Sequence, residues 1–133
     1  MPGKSPSSEY LVISRGQWDT TATPQDIQAS IDSFYLWLGR LVDEGRMRVG
    51  QRLAPEARRV SRGAVTDGPF SEAKEIIGGY WFVLADSLDE AAELAAGNPC
   101  LAHGLEYEIR PIDPARASAF ATTCETADRD AKR

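Results

Sequence analysis

The 133-residue chain is poor in the residues that build metal sites and disulfide frameworks, with one His and two Cys. A single imidazole excludes zinc sites and proton relays that need two, including the HExxH type. Cys100 and Cys124 form no CxxC pair and follow no apolar secretion signal, so we expect reduced thiols in the cytoplasm rather than a disulfide. A phosphate loop, a dinucleotide fingerprint and a metal-spaced acidic cluster are also missing, and we expect no cofactor.

Positive charge and long apolar runs are scarce as well. The chain has 15 Lys and Arg against 20 Asp and Glu, a net charge of −5, and it lacks the basic footprint that is typical of nucleic-acid-binding proteins. No apolar run approaches the roughly 20 residues that a membrane-spanning helix needs. With 42% hydrophobic residues and the length of one domain, the sequence predicts a single globular domain that binds neither nucleic acid nor membrane.

Hydrophobic patterns predict four main strands and two helices. Two runs are apolar on both faces and two alternate, which predicts two covered and two half-exposed strands: 9–14, 80–85, 47–53 and 105–111. Capped amphipathic stripes predict helices from Pro24 to about Val42 and from Leu88 to about Ala96. The order βαββαβ is that of an α+β, ferredoxin-like domain, with an antiparallel sheet and both helices on one face. The covered strands fall at its centre.

The remaining segments complete the domain plan. Residues 1–8 are expected to form a disordered extension, 9–112 the domain, and 113–133 a tail with one short helix over 117–124. A hairpin is predicted over 58–67, turning at Arg62 and Gly63. Strict alternation places Arg48 and Arg52 on the same face of the strand 47–53, where we interpret them as charged protection of a sheet edge. The alternative is that this locally basic segment receives a carboxylate ligand or an acidic partner.

The sheet face without helices has a consequence for assembly. Whichever alternating side chains of the two central strands lie there, several are large and apolar. At about 25 cal/mol per Å² of apolar area, leaving them in water forfeits several kcal/mol, and such a patch usually marks an interface. We therefore predict a homodimer in which two sheets pack face to face. The alternative is that the tail folds back over this face.

Several short strings occur in the order and spacing of one known family. VTDGPFSEAKE at 65–75 is followed by GGY at 78–80, and the other strings are DEGR at 43–46, DSLDEA at 86–91, NP at 98–99, HG at 103–104 and EIRPI at 108–112. Together they resemble the DGPF branch of the YCII-related family, and the resemblance covers about 9–112. It implies a dimeric α+β barrel. Other members have a His in the first helix that is proposed to act with an Asp; here Phe34 and Tyr35 stand in that stretch, so this dyad is not carried over.

The resemblance leaves two classes of function open. One is the binding or transformation of a small aromatic or carboxylate molecule without a cofactor, as a lyase, isomerase or oxygenase. The other is a non-catalytic regulatory module that associates with an extracytoplasmic-function sigma factor. The arginine-rich interval 40–62 is the surface on which such a partner would bind.

Two residues are candidates for catalysis. Asp67 ends the hairpin on the DGPF turn, and burial in a cleft would raise its pKa toward use as a general base; the alternative is that it only bonds turn N–H groups. His103 is the one side chain whose ordinary pKa lies near neutrality; the alternative is a solvated loop residue.

Four residues are candidates for ligand binding. The motif supplies Phe70 and Lys74, and Arg110 ends the last strand, where it can bind an anion or simply pair with Glu108. Tyr80, with Trp18 and Trp81, is expected to line an apolar pocket for a ring-shaped ligand, unless these aromatics belong to the core or the dimer interface.

Overall fold

A computed structural model describes residues 8–68 and 76–127 of the chain. The candidates Phe70 and Lys74 lie outside the described residues, as does the predicted extension except for Ser8, which begins the first strand.

The predicted α+β order is confirmed. The elements are β1 (Ser8–Arg15), α1 (Pro24–Asp43), β2 (Met47–Arg52), β3 (Arg58–Ser61), β4 (Ala64–Asp67), β5 (Ile77–Ala85), α2 (Leu88–Ala95), a 3-10 helix (Pro99–His103) and β6 (Glu106–Pro111). The four-stranded sheet has the order β2-β5-β1-β6 and antiparallel neighbours, so the two strands that are apolar on both faces lie at its centre.

Capping residues begin the helices where the sequence predicts. The Thr23 hydroxyl accepts the N–H of Asp26 at 3.0 Å, and the Ser87 hydroxyl accepts the N–H of Glu90 at 3.1 Å. The 3-10 helix was not predicted. Asn98 caps it by accepting the N–H of Cys100 at 2.8 Å, so that its short side chain supplies a partner for an otherwise free helix N–H.

The core lies between the helices and one face of the sheet. Val12 and Val83 are fully buried there, beside Trp81 and the helix residues Leu38 and Leu41. The opposite face carries the other alternating set of side chains, which are half-buried: Leu11, Ile13, Tyr80, Phe82 and Leu84. We call these five residues the open face.

Carboxylates and guanidinium groups, joined in ion pairs, lie around the open face. Glu108 pairs with Arg15 at 2.5 Å and with Arg110 at 3.1 Å, and these hydrogen bonds hold the pKa of the Glu108 carboxyl below its usual value. Arg48 pairs with Glu9 on the other side, and its guanidinium carbon lies 4.1 Å from the centre of the Phe82 ring. The rim is therefore charged, whereas the centre is apolar.

A β-bulge in β2 overturns the expectation that Arg48 and Arg52 share a face. Arg48 lies opposite Phe82, but Arg52 lies opposite Gly79, because two residues of β2 face one residue of β5 between these pairs. Positions 82 and 79 project to opposite sides of β5. The extra residue therefore turns Arg52 toward the helix side of the sheet, while Arg48 stays on the open face.

The tail departs from its prediction. Residues 113–127 form turns and extended segments rather than the helix expected over 117–124, and all of them are exposed. Phe120 is 99% exposed. A helix of eight residues is marginal in water without packing against another surface, and all of these residues are exposed. The described part of the tail reaches the rim of the open face at Cys124, whose sulfur lies 3.6 Å from a guanidinium nitrogen of Arg110.

The hairpin is confirmed as a separate two-stranded sheet formed by β3 and β4. Gly63 supplies the positive φ, +75°, that its turn requires. Every residue of both strands is exposed. In the described residues, neither helix has the length and apolar character needed to cross a bilayer.

The bulge makes a prediction about two glycines. A Cβ at Gly50 would lie 2.1 Å from the Tyr80 carbonyl oxygen, whereas a Cβ at Gly39 in α1 would meet nothing within 4 Å. We expect Gly50→Ala to lower the free energy of unfolding by about 1–3 kcal/mol through overpacking. Gly39→Ala should raise it by about 0.5–1 kcal/mol, because alanine favours the helix. Urea unfolding of both variants checks this; equal effects would contradict the tight approach at Gly50.

Candidate functional site

A cavity of about 160 Å³ lies between α1, β2 and the beginning of β5. Helical spacing places Ile31, Phe34, Tyr35 and Leu38 on one side of it. The space exists because β5 contributes glycines here, at positions 78 and 79, instead of side chains. We call this the inner cavity.

Aromatic rings form much of the inner cavity wall. The centre of the Phe34 ring lies 5.3 Å from that of Trp81 and 5.2 Å from that of Tyr35. The Trp81 ring in turn lies 5.2 Å from the Tyr107 ring. Trp18, from the connection between β1 and α1, also lines the cavity. These edge-to-face contacts fix the ring positions, so the wall is rigid.

Polar groups meet at the end of the cavity nearest the 3-10 helix. The Tyr107 hydroxyl lies within hydrogen-bonding reach of the Ser14 and Cys100 side chains, and all three residues line the cavity. The Cys100 thiol also reaches the carbonyl of Ser30, with the sulfur 3.7 Å from the oxygen. The 3-10 helix therefore attaches this polar group to α1.

Burial keeps these groups in their neutral forms. It raises the pKa of the Tyr107 phenol well above its ordinary value, and the neighbouring Cys100 acts in the same direction. Burial also raises the pKa of the Cys100 thiol. At neutral pH Tyr107 is therefore a hydrogen-bond donor, and Cys100 lacks the thiolate character of a nucleophile.

The indole N–H of Trp81 is buried without a partner. Trp81 is 7% exposed, and its Nε1 atom has no acceptor among the residues that the structure describes. An unsatisfied buried donor costs about 1–3 kcal/mol.

A second cavity of about 440 Å³, the outer cavity, adjoins the first. Five residues line both: Ser14, Trp18, Arg52, Gly78 and Leu105. Gln17 and Thr20 are among the residues that line only the outer one. The bulge thus places Arg52, an exposed residue with a fixed charge, among the residues that line both the apolar space and the more polar one.

The structure brings together the three aromatic candidates. Trp18, Tyr80 and Trp81 all line the inner cavity. Tyr80 also belongs to the open face, where its ring centre lies 5.9 Å from that of Phe82. Both interpretations of this residue, pocket lining and interface, thus have a geometric basis.

The two catalytic candidates lie apart from both cavities. The Asp67 side chain is 79% exposed and pairs with Arg58 at 3.1 Å, so it does not lie in the cleft that is expected from the sequence. His103 ends the 3-10 helix, where its carbonyl accepts the N–H of Asp19 at 2.8 Å. Neither residue is among those that line the cavities.

The arginine expected at the ligand is also elsewhere. Arg110 lies at the rim of the open face, paired with Glu108, which is the alternative that the sequence left open. Arg52 is the arginine at the cavities. From the sequence, Arg52 is interpreted as edge protection because strict alternation is assumed, which fails at the bulge, and Gly50 is a local signal of that bulge.

Other cavity residues had weak sequence signals. Tyr107 lies on the inward side of an alternating strand, where a tyrosine usually needs a partner for its hydroxyl.

Among the described residues there is no group of three or more His, Cys, Asp or Glu side chains able to hold a metal ion.

The family comparison confirms the resemblance to the YCII-related family. The sequence pattern of the YCII-related domain family matches residues 9–114. No curated protein matches the chain. Solved structures that match include a 5-chloro-2-hydroxyhydroquinone dehydrochlorinase from Burkholderia phenoliruptrix AC1100 in complex with 2,5-dihydroxybenzoquinone. It is 19% identical with a TM-score of 0.44, over 79% of this chain and 93% of that one. Because the family pattern spans most of its length, the chain belongs to the YCII-related domain family.

Proposed function

We propose that this protein binds a small molecule with a single aromatic ring in the inner cavity, without a cofactor. The observation that carries the proposal is the match of size and wall: about 160 Å³, lined largely by apolar and aromatic side chains. A dry apolar cavity of about 150 Å³ in another protein holds one benzene molecule. The rigid aromatic wall selects a flat ligand, because its ring positions are fixed by mutual contacts.

The Tyr107 hydroxyl defines the polar part of the ligand, because Tyr107 lines the cavity and its phenol is neutral. A ring oxygen, as in a phenol or a quinone, would form a hydrogen bond with it. Apolar walls with a few placed donors are typical of small-ligand sites.

The proposal concerns binding rather than base catalysis. None of the described residues that line the two cavities is Asp, Glu or His. The groups available to a bound ligand are therefore hydrogen-bond donors and one guanidinium group. We place this function in the cytoplasm, because Cys100 and Cys124 are both free thiols.

We also propose that the protein acts as a homodimer through the open face. Both signs of charge occur on its rim, with Glu9 and Glu108 beside Arg15, Arg48 and Arg110. A two-fold interface places one surface against itself, so a rim that carries both signs can pair with its own copy. The apolar centre supplies the driving force, and the second sheet would complete the dimeric α+β barrel.

A regulatory module remains the second candidate function. The observation that favours it is the hairpin, where Val60 and Val65 face each other across the strands and are 74% and 65% exposed. Arg58, Arg59 and Arg62 surround them. Such an exposed, basic two-stranded arm is marginally stable alone and suits an acidic protein partner, of which a sigma factor is the class that we propose.

Ring binding is tested with phenol and hydroquinone as probes, followed by quenching of tryptophan fluorescence, since Trp18 and Trp81 line the cavity. We expect saturable binding with a Kd on the order of 0.1–1 mM, as suits ligands of so few atoms. Ile31→Phe fills the cavity and should weaken binding at least tenfold. The control Leu36→Phe lies on the exposed side of α1, at 76% exposure, and should change nothing. If the probes do not bind the wild-type protein, or bind both variants equally well, ring binding in the inner cavity is refuted. The regulatory module is then the remaining candidate function.

Alkaline pH tests the buried phenol. The pKa of Tyr107 is raised in the folded chain and ordinary, about 10, in the unfolded one. Above that pH the unfolded chain releases a proton that the folded chain keeps, so the free energy of unfolding falls. Measured by urea unfolding at about pH 9 and pH 11, this fall should be smaller in Tyr107→Phe. Tyr35→Phe, at a ring that is 54% exposed, should keep the wild-type fall; identical falls in all three proteins would disprove the assignment.

Dimerisation is tested by sedimentation at about 10 µM, a concentration at which interfaces of ordinary size are stable. We expect the wild-type protein at twice the mass of one chain. Phe82→Glu on the open face should sediment as one chain, whereas Leu36→Glu should stay dimeric. Cooperative unfolding of each variant is the control for folding. A wild-type protein that sediments as one chain would end the proposal.

A further inference from the structure

Arg52 differs from the other arginines of the four-stranded sheet. Arg15 and Arg110 pair with Glu108, and Arg48 pairs with Glu9. Arg52 has no carboxylate partner among the residues that the structure describes. It is also the only one of the four whose side chain is turned to the helix side of the sheet, where it lines both cavities.

The backbone of β2 is shaped to make this turn. The bulge opposite Trp81 needs Gly50, because any Cβ there would overlap the Tyr80 carbonyl oxygen at 2.1 Å. Gly79 is needed on the other strand, since its Cβ would lie 2.8 Å from the Gln51 carbonyl oxygen. Without the bulge, Arg52 would join Arg48 on the open face. Two glycines, one on each strand, thus allow the bulge that turns the Arg52 side chain toward the cavities.

No described residue of the cavity lining carries a negative charge that would balance Arg52. The described residues that line the two cavities include no Asp or Glu, although the chain as a whole carries a net charge of −5. A guanidinium group at the end of an apolar cavity favours an anion, and its planar donors match a carboxylate with two parallel hydrogen bonds.

We infer that the ligand is a monocyclic aromatic acid, whose ring occupies the inner cavity and whose anionic group is bound by Arg52 at the junction with the outer cavity. This inference rests on the proposed ring-binding function. It adds the charge of the ligand and the residue, Arg52, that binds the charged group. The size of the outer cavity, about 440 Å³, leaves room for further substituents on the side of the anionic group.

Benzoate and benzamide test the inference, because they have the same ring and the same number of heavy atoms and differ in charge at neutral pH. Their Kd values are measured by tryptophan quenching and by calorimetry for the wild-type protein, for Arg52→Gln and for Arg62→Gln. Arg62 lies in the exposed turn of the hairpin and is not among the residues that line the cavities, so it is the matched control for lost charge.

We expect the wild-type protein and Arg62→Gln to bind benzoate about five- to tenfold more tightly than benzamide, as one charge-assisted pair at a partly exposed site provides. Arg52→Gln should lose this preference because its affinity for benzoate falls more than its affinity for benzamide, and cooperative urea unfolding checks that the variant is folded. Raising the salt concentration should weaken benzoate binding to the wild-type protein and to Arg62→Gln, but not to Arg52→Gln.

The other outcomes distinguish a failure of this inference from a failure of the proposed ring-binding function. Equal binding of the two probes by the wild-type protein would overturn the anionic ligand and leave ring binding standing. A preference that survives in Arg52→Gln would overturn the role of Arg52. If neither benzoate nor benzamide binds and phenol also fails, the proposed function itself is wrong and the inference falls with it.

Discussion

The close approach of β2 and β5 at Gly50 and Gly79 is the constraint on which the site depends. Each glycine leaves space that the carbonyl of the other strand occupies, at 2.1 and 2.8 Å from where a Cβ would stand. This contact creates the bulge, and the bulge shifts the side-chain alternation of β2 by one residue. As a result, one strand supplies an arginine to each face of the sheet. Arg48 packs over Phe82 on the open face, whereas Arg52 reaches the cavities.

The two faces of the sheet accordingly have separate roles. On the helix side, Val12 and Val83 are fully buried, and the glycines in the first half of β5 leave space for a cavity. On the other side, large apolar side chains are half-buried within a ring of paired charges. The central strands are apolar on both sides because each side is to be covered: one by helices of the same chain and the other, as we propose, by a second copy. Tyr80, between them, takes part in both faces.

The fold could be predicted because its signals are local and agree with one another. Thr23 and Ser87 cap the helices as their positions suggest, and the strands that are apolar on both faces are the central ones. The failures come from tertiary effects. Helical spacing over 117–124 predicts a helix only if a surface covers its apolar side, and Phe120 is 99% exposed. The 3-10 helix rests on Asn98 and on contacts with α1 that span many residues of sequence.

The site was predicted in kind but not in its polar residues. Trp18 and Trp81 were expected to line an aromatic pocket, and they do. The arginine was assigned to Arg110, because period-two alternation cannot reveal a bulge from the sequence of one strand. A bulge is a property of two paired strands, and it becomes visible only when the register of β2 against β5 is known.

The division of chemistry between the cavities limits what the protein can do. In the inner cavity, burial keeps Tyr107 and Cys100 uncharged, so they donate hydrogen bonds without attracting a counterion. The permanent charge of Arg52 lies at the wetter junction, where its desolvation is less costly. A ligand that satisfied both regions would be flat and apolar at one end and anionic at the other. The described lining residues include no carboxylate or imidazole, so selectivity would come from the shape of the cavity and from the charge of Arg52.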